Sequence, residues 1–542
     1  MKTLTVKLLD HQYWIVAMVL AVSFVGIFDH DLWPSDEPRV AEIGREFLDD
    51  GASLAVPRLG GEPFLEKPPL YFWCVALSYK VFGGPSASAA RLPSLFFGLG
   101  TLLFTYLLAG RMYGKNCALW SCMVLALSLE FFAITHKSLV DSALVFFVTG
   151  TMYWLYLALT AEKNTKWILY TMCYTFSTGA FFSKGFLGLA FPAILFMCWI
   201  LWTRDWGEIK CARLWIGFFL VIGVTGLWFF ALWKEGSWEY VSTFLGHNNL
   251  QRVFPGATYT GGHEHSFFYY FVRYWRAFAP WSILTPIVFY HVYRKGFRDR
   301  DGLFLVLWFF SGFLMLSLAG TKRPIYLVPL FPSLSILTGA WFNDVETRII
   351  NGRFVSISQW SILSVTGICI VLFAITAFKY DLYKSVTFMV LMSGVLLCYI
   401  SFWNSFLTCK VITLPGFSPL MILIYISIVL VSYPYLNEKR SLKPFCHELR
   451  QILTVKGKPL YAFQSGETER AMVPFYTGHY LTPIQSLDEM RSLGISKDKL
   501  VLVVDDRKSR PLYHSLKDRF PDVLVSGQSG KRHMALLTNK GK

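Results

Sequence analysis

Asp141 lies in the run HKSLVDSALVFF, just inside an otherwise hydrophobic span. An ionisable group at that depth is expensive and points to function, although an Asp capping a helix that starts near Leu139 would sit in the same place. Lys184 interrupts a second apolar stretch at Ser183-Lys184-Gly185-Phe186, where the competing reading is a loop lysine that snorkels to the interface. Arg252 belongs to HNNLQRVF, which is followed by His263, Glu264 and His265. Two histidines together with Glu66 would offer nitrogen and oxygen ligands to a divalent metal ion, although His-x-His alone specifies little. Lys322 and Arg323 precede Pro324-Ile325-Tyr326 at the start of a late span. Two carboxylates, Asp36 and Asp141, thus share a membrane face with Lys67, Lys184, Arg252, Lys322 and Arg323. Cations at a lipid surface suit a phosphate-bearing lipid.

The stretch from Trp33 to Trp73 is the longest polar segment before the last hundred residues, and it sits between hydrophobic spans. Read blandly it is a solvated hairpin loop. Its Ser35-Asp36-Glu37-Pro38, however, is a helix start with a Pro in the first turn, and Val40, Ile43, Phe47 and Leu48 fall on one helical face behind it. That pattern predicts a helix lying on a surface. Glu66-Lys67-Pro68-Pro69 then sets an acid and a base on a stiff turn ahead of the apolar Leu70 to Val81.

The elements that must position these groups are membrane helices. The chain has 542 residues, 54% of them hydrophobic and 17% aromatic, with a mean hydropathy of +0.44, which excludes an ordinary soluble globule. The net charge of +16 would suit nucleic acid in a soluble protein, but here the basic excess lies in short loops between spans, and topology accounts for it. No nucleic-acid partner is implied. The ten Cys fall mostly within spans and show no disulfide framework. Taking about 20 residues per crossing, spans are predicted near Tyr13–Phe28, Ala89–Ala109, Asn116–Ile134, Leu139–Leu159, Trp167–Phe182, Phe186–Trp202, Leu214–Trp233, Pro280–Tyr293, Leu303–Ala319, Ile325–Phe342, Trp360–Phe378, Val386–Trp403 and Phe417–Tyr433. That is about thirteen crossings, an odd number, which puts the termini on opposite sides. With the N-terminus inside, Arg111, Lys115, Lys163, Lys166, Arg204, Lys210, Arg213, Arg294, Lys295, Arg348, Arg353 and Lys410 all lie inside, as the positive-inside rule asks. The candidate residues then all lie outside. Residues 437–542 change character, with strand-like runs at Leu460–Phe463, Leu500–Asp505, Val523–Ser526 and Met534–Thr538 and a helix-like Leu487–Leu493. The expected organisation is a transmembrane domain, residues 1–436, carrying juxtamembrane segment 29–88 and loop 234–278, followed by a small outer α/β domain, residues 437–542.

The motifs DEPRVAEIGREF, GEPFLEKPPLYFW, VDSALVFF, SKGFLGLAFP, NNLQRVF and RPIYLVPLFP, taken in order, resemble the bacterial GT-C glycosyltransferases that use polyprenyl-phosphate sugars, and among them the aminoarabinose lipid A transferases. The resemblance implies a polytopic α-helical membrane enzyme of the bacterial inner membrane. Its N-terminus would be cytoplasmic and its C-terminal α/β domain periplasmic. It would move a sugar, aminoarabinose in the nearest relatives, from undecaprenyl phosphate to lipid A. It also implies roles: Asp36 as the essential acid, Asp141 as the second acidic position, Lys67, Arg252 and Tyr326 as phosphate contacts, and Glu66 and His263 at a bound metal. TKRPIYLVP departs from the lipid A enzymes, which leaves the sugar and acceptor open, a protein hydroxyl or another glycan included. A different class, a lipid-linked sugar transporter, would need paired repeats and mid-membrane charges. Neither is visible.

Overall fold

The computed structural model describes residues 2–250, 264–295, 299–347, 349, 353–409, 412–456, 460–463, 465–486, 489, 500–505, 522–529 and 532–538. In chain order the helices are α1 (Lys2–Phe24), α2 (Asp36–Glu46), α3 (Leu70–Val81), α4 (Ala87–Tyr113), α5 (Lys115–Ala126), α6 (Leu129–Thr135), α7 (Val140–Thr160), α8 (Lys163–Lys184), α9 (Phe186–Thr203), α10 (Gly207–Ala212), α11 (Leu214–Ser242), α12 (Tyr269–Ala277), α13 (Thr285–Lys295), α14 (Arg300–Leu318), α15 (Phe331–Glu346), α16 (Arg353–Lys379), α17 (Val386–Cys409), α18 (Leu414–Arg440), α19 (Lys443–Lys456) and α20 (Glu467–Thr477). The strands are β1 (Arg58–Leu59), β2 (Glu62–Pro63), β3 (Leu460–Phe463), β4 (Leu481–Ile484), β5 (Leu500–Asp505), β6 (Asp522–Ser529) and β7 (Arg532–Thr538).

The protein is a polytopic helical membrane protein. Every expected span coincides with a helix, but fewer qualify as full crossings than the expected thirteen. Among the described residues, nine helices are long and apolar enough to cross, and ten if α5 and α6 form one span bent by 73°. The shortfall has local causes. Pro280–Tyr293 is a 3-10 turn followed by the 11-residue α13, too short for about 30 Å of hydrocarbon. The first expected span has only Tyr13–Phe24 as its apolar helical part, and α8 mixes Lys, Thr and Ser into its 22 residues. The parity argument for the termini rests on these three segments.

Contacts divide the chain into two units. The first comprises Met1–Gly26, Leu65–Leu70 and Ser94–Val431. Within it α7 packs along α8, α8 along α9 and α11, and α15 along α5. Two close approaches need glycine: Gly185 has φ +69, which lets α8 turn directly into α9, and a Cβ on Gly188 would lie 2.3 Å from the Ala180 carbonyl oxygen.

The second unit comprises Ile27–Phe64, Tyr71–Pro93 and Ser432–Lys542. The boundary expected at residue 437 is therefore too simple: the juxtamembrane residues fold with the C-terminal segment. Helix α2 packs on α20, and Arg39 bridges Asp36 at 2.9 Å and Glu467 at 2.5 Å. Arg45 binds Glu42 at 2.9 Å and also Asp49 and Tyr480. Beneath α2, the fully buried Arg91 bonds Glu37 at 2.5 and 3.1 Å and the carbonyls of Ile27, His30 and Asp31. All the guanidinium's directions are used, which is what a buried Arg requires. The sheet has the order β4-β3-β5-β7-β6, parallel from β4 to β5 and antiparallel beyond. The expected strands are all present. Strand β4, not expected, sits at the sheet edge, where its Pro483 is tolerated. The helix expected at Leu487–Leu493 lies almost wholly outside the described residues.

Candidate active site

The first unit brings three of the expected residues together. Asp141 is in the first turn of α7 and Lys184 is the last residue of α8. Because the two helices are antiparallel neighbours, the start of one meets the end of the other. Both side chains are buried, and the Lys184 ammonium donates to Asp141 Oδ1. The Asp141 carboxylate stands at a helix N-terminus and the Lys184 ammonium at a C-terminus, each favourable to its helix dipole. The same ammonium lies 4.1 Å from the ring centroid of Tyr326, a cation–π distance. Neither competing reading survives: the N-cap of α7 is Leu139, not Asp141, and Lys184 is buried rather than snorkelling.

Tyr326 is half-buried in the 3-10 turn Pro324–Leu330. That turn is the hub of this end of the bundle, packed by α6, α7, α12 and α14. Leu129 N donates to the Ala279 carbonyl at 3.0 Å, joining the start of α6 to the end of α12. Ser94 Oγ lies 3.0 Å from Ser142 Oγ and accepts from Leu139 N at 3.3 Å, fixing α7 against α4.

Glu130, on α6, is the residue that sequence reasoning missed. Its carboxylate is within electrostatic reach of Arg276, Lys137, Asp141 and Arg323. The signal was present, since Glu130 is a lone acid in the apolar run from Val124 to Ile134, though Leu129-Glu130 reads equally well as an ordinary span boundary. Around this end of the bundle four cations, Lys137, Lys184, Arg276 and Arg323, face two carboxylates, Glu130 and Asp141. The surplus is positive, and Arg276 is exposed.

The remaining expected residues are distributed as follows. Lys322, expected as a cation for the carrier phosphate, is 3% exposed, and its ammonium donates to the His265 carbonyl at 2.9 Å and to the Ala319 carbonyl. Burial pushes its pKa below the usual lysine range. It ties two loops that Glu264 and Thr321 also join through an antiparallel bridge. Glu66 and Lys67 are half-buried in the segment Leu65–Leu70 of the same unit. Asp36 belongs to the second unit, at the first position of α2. Ser35 holds the N-cap position without a side-chain bond, and Asp36 pairs with Arg39. Arg252 and His263 lie outside the described residues. Among the described residues no three His, Cys, Asp or Glu side chains group as metal ligands.

Known proteins share sequence and fold with most of this chain. Residues 66–233 match a family model described as dolichyl-phosphate-mannose-protein mannosyltransferase. An uncharacterized protein of Aquifex aeolicus is 27% identical over 435 residues, covering 80% of this chain and 81% of that protein. A Pseudomonas fluorescens protein named undecaprenyl phosphate-alpha-4-amino-4-deoxy-L-arabinose arabinosyl transferase 2 is 26% identical over 64% of this chain, and the match spans 59% of its own length. The crystal structure of ArnT from Cupriavidus metallidurans bound to undecaprenyl phosphate superposes with a TM-score of 0.79 at 21% identity, covering 98% of this chain and 99% of that one. The chain has the GT-C glycosyltransferase fold. Within that GT-C fold, the resemblance to the aminoarabinose transferases expected from the motifs stands.

Proposed function

We propose that the protein transfers a sugar from a polyprenyl-phosphate carrier to an acceptor on the outer face of the bacterial inner membrane. The observation that carries this reading is the Asp141–Lys184–Tyr326 constellation, set at a cation-rich end of a GT-C bundle. Lys184 and Tyr326 hold the carrier phosphate, with Arg323, Lys67 and Arg252 adding positive charge. The acceptor oxygen forms a bond to the anomeric carbon as the bond from that carbon to the phosphate oxygen breaks, with inversion. The electron pair leaves with the polyprenyl phosphate. Stabilising the charge that develops on that phosphate supplies most of the rate.

Asp36 positions a hydroxyl acceptor and takes its proton. A phosphate acceptor needs no strong base, and Asp36 then orients the sugar or a cation. The names of the curated relatives favour aminoarabinose as the sugar, and the motif resemblance favours lipid A as the acceptor. Mass spectrometry of lipid A and of the polyprenyl-phosphate pool, with and without the protein, tests both. Its loss should remove one sugar from the acceptor and leave glycosylated carrier behind; unchanged pools would contradict the reading.

The proposed orientation puts the N-terminus in the cytoplasm and residues 437–542 in the periplasm. Protease added to right-side-out spheroplasts should cut within residues 437–542 and spare a tag placed before Met1. Protection of the C-terminal segment would reverse the orientation.

A further inference from the structure

The imidazole of His136 is 1% exposed and lies in the turn that joins α6 to α7. Its Nδ1 is 2.7 Å from the Phe132 carbonyl oxygen, and its Nε2 is 3.0 Å from the Val22 carbonyl oxygen. A carbonyl oxygen only accepts, and a neutral imidazole has only one N–H. Either neutral tautomer would therefore aim a nitrogen lone pair at a carbonyl oxygen. Thr135 Oγ1, 3.1 Å from Nδ1, does not remove the conflict, because Nδ1 would still face Phe132 at the shorter distance. The doubly protonated ring satisfies both contacts.

Two further features favour that charge. Phe132 and Val22 each belong to the last turn of a helix, α6 and α1 respectively, so the negative ends of two helix dipoles converge on the ring. The Phe132 ring also stacks on the imidazole, with centroids 3.8 Å apart and planes 25° from parallel. The charged groups near this turn are Glu130 on α6, Lys137 in the turn itself and Asp141 on α7; Tyr425 on α18 packs its ring on Phe132, and α1 and α4 line the small cavity beside the imidazole with Val22, Ser23, Leu95, Gly98, Leu99 and Leu102, none of them titratable. Asp141 is engaged by Lys184.

We infer that His136 is a positioning residue, an imidazolium that clamps the turn carrying Lys137 and leading to Asp141 onto the C-terminal end of α1. Losing the proton would turn one of the two carbonyl contacts repulsive and release the turn from α1 or α6. Lys137 and Asp141 would then lose their fixed approach to Glu130 and Lys184. The consequence for transfer rests on the function proposed above; the charge on the ring does not.

The ring charge is read directly by NMR of the full-length protein with 15N-labelled histidine, in nanodiscs at pH 7.5. The His136 signal is identified by its contacts to the Phe132 ring and by its absence from H136Q. Both nitrogens should carry protons; the spectrum of a neutral tautomer would overturn the inference, whatever the protein's activity. For transfer, H136Q should lower kcat about tenfold to a hundredfold, as small misplacements of reacting groups do. The wild-type rate should fall as pH rises through the His136 titration, and the residual rate of H136Q should lack that step. An H136Q rate and pH profile equal to wild type would overturn the positioning role.

Discussion

The Lys184 ammonium is shared between the Asp141 carboxylate and the face of the Tyr326 ring, 4.1 Å from its centroid. The pair is buried, so each charge depends on the other. Asp141→Asn or Lys184→Met alone should destabilise the protein by about 3–5 kcal/mol, because each leaves an unpaired buried charge. The double variant should recover most of that stability without recovering transfer. Thermal unfolding in detergent checks the first expectation, and a transfer assay on the same samples the second. Equal stability of both single variants and wild type would show that the pair is not formed.

Tyr326 separates ring from hydroxyl. Tyr326→Phe keeps the face that Lys184 occupies, so unfolding should be unchanged; if the hydroxyl contacts the carrier phosphate, donor affinity should fall by about 0.5–1.5 kcal/mol, the worth of one hydrogen bond. Tyr326→Ala should lose both. Donor titration of the two variants distinguishes them, and identical affinities would remove the hydroxyl from the phosphate site.

In the second unit, burial opposes the charge on Glu37, but the Arg91 charge and hydrogen bonds outweigh it, and the Glu37 pKa lies below the ordinary glutamate value. The folded state therefore releases this proton more readily than the unfolded chain. The pair's contribution is complete above the ordinary carboxylate range and is lost as pH falls through the lowered folded value. Arg91→Ala should cost about 3–5 kcal/mol. Acid unfolding curves of wild type and Glu37→Gln check the sign: the variant should lose the part of the acid transition that belongs to this pair.

These elements also show what the sequence could and could not disclose. Asp141 and Lys184 were legible because each interrupts an apolar run. Their pairing was not, since they are 43 residues apart and meet only because α7 and α8 pack antiparallel. Arg91 was hidden inside the apolar-looking stretch that opens the second expected span, and its partner Glu37 looked like one acid among several in a polar segment. The apolar stretch Leu70 to Val81 was legible in the sequence, and it folds as helix α3, which starts directly after Pro68-Pro69. Strand β4 was not, because Pro483 contradicts a strand reading unless the edge position is already known. Lys322 could be recognised as a cation but not as a buried staple, because its partners are backbone carbonyls.

Asp36 is tested by the mildest change. Asp36→Asn can still accept from Arg39, and the pair is partly exposed, so unfolding should shift by less than about 1 kcal/mol. Transfer to a hydroxyl acceptor should be abolished. Near-normal transfer by a folded Asp36→Asn protein would remove Asp36 from the chemistry.

The most direct measurement is release of polyprenyl phosphate from purified glycosylated carrier by the protein in nanodiscs, with lipid A supplied as acceptor. Wild type should release carrier phosphate and glycosylate lipid A in equal amounts, and Lys184→Met should do neither at a comparable rate. Wild-type protein that binds the glycosylated carrier but releases no polyprenyl phosphate, with lipid A or with protein and glycan acceptors in its place, would contradict the transferase account.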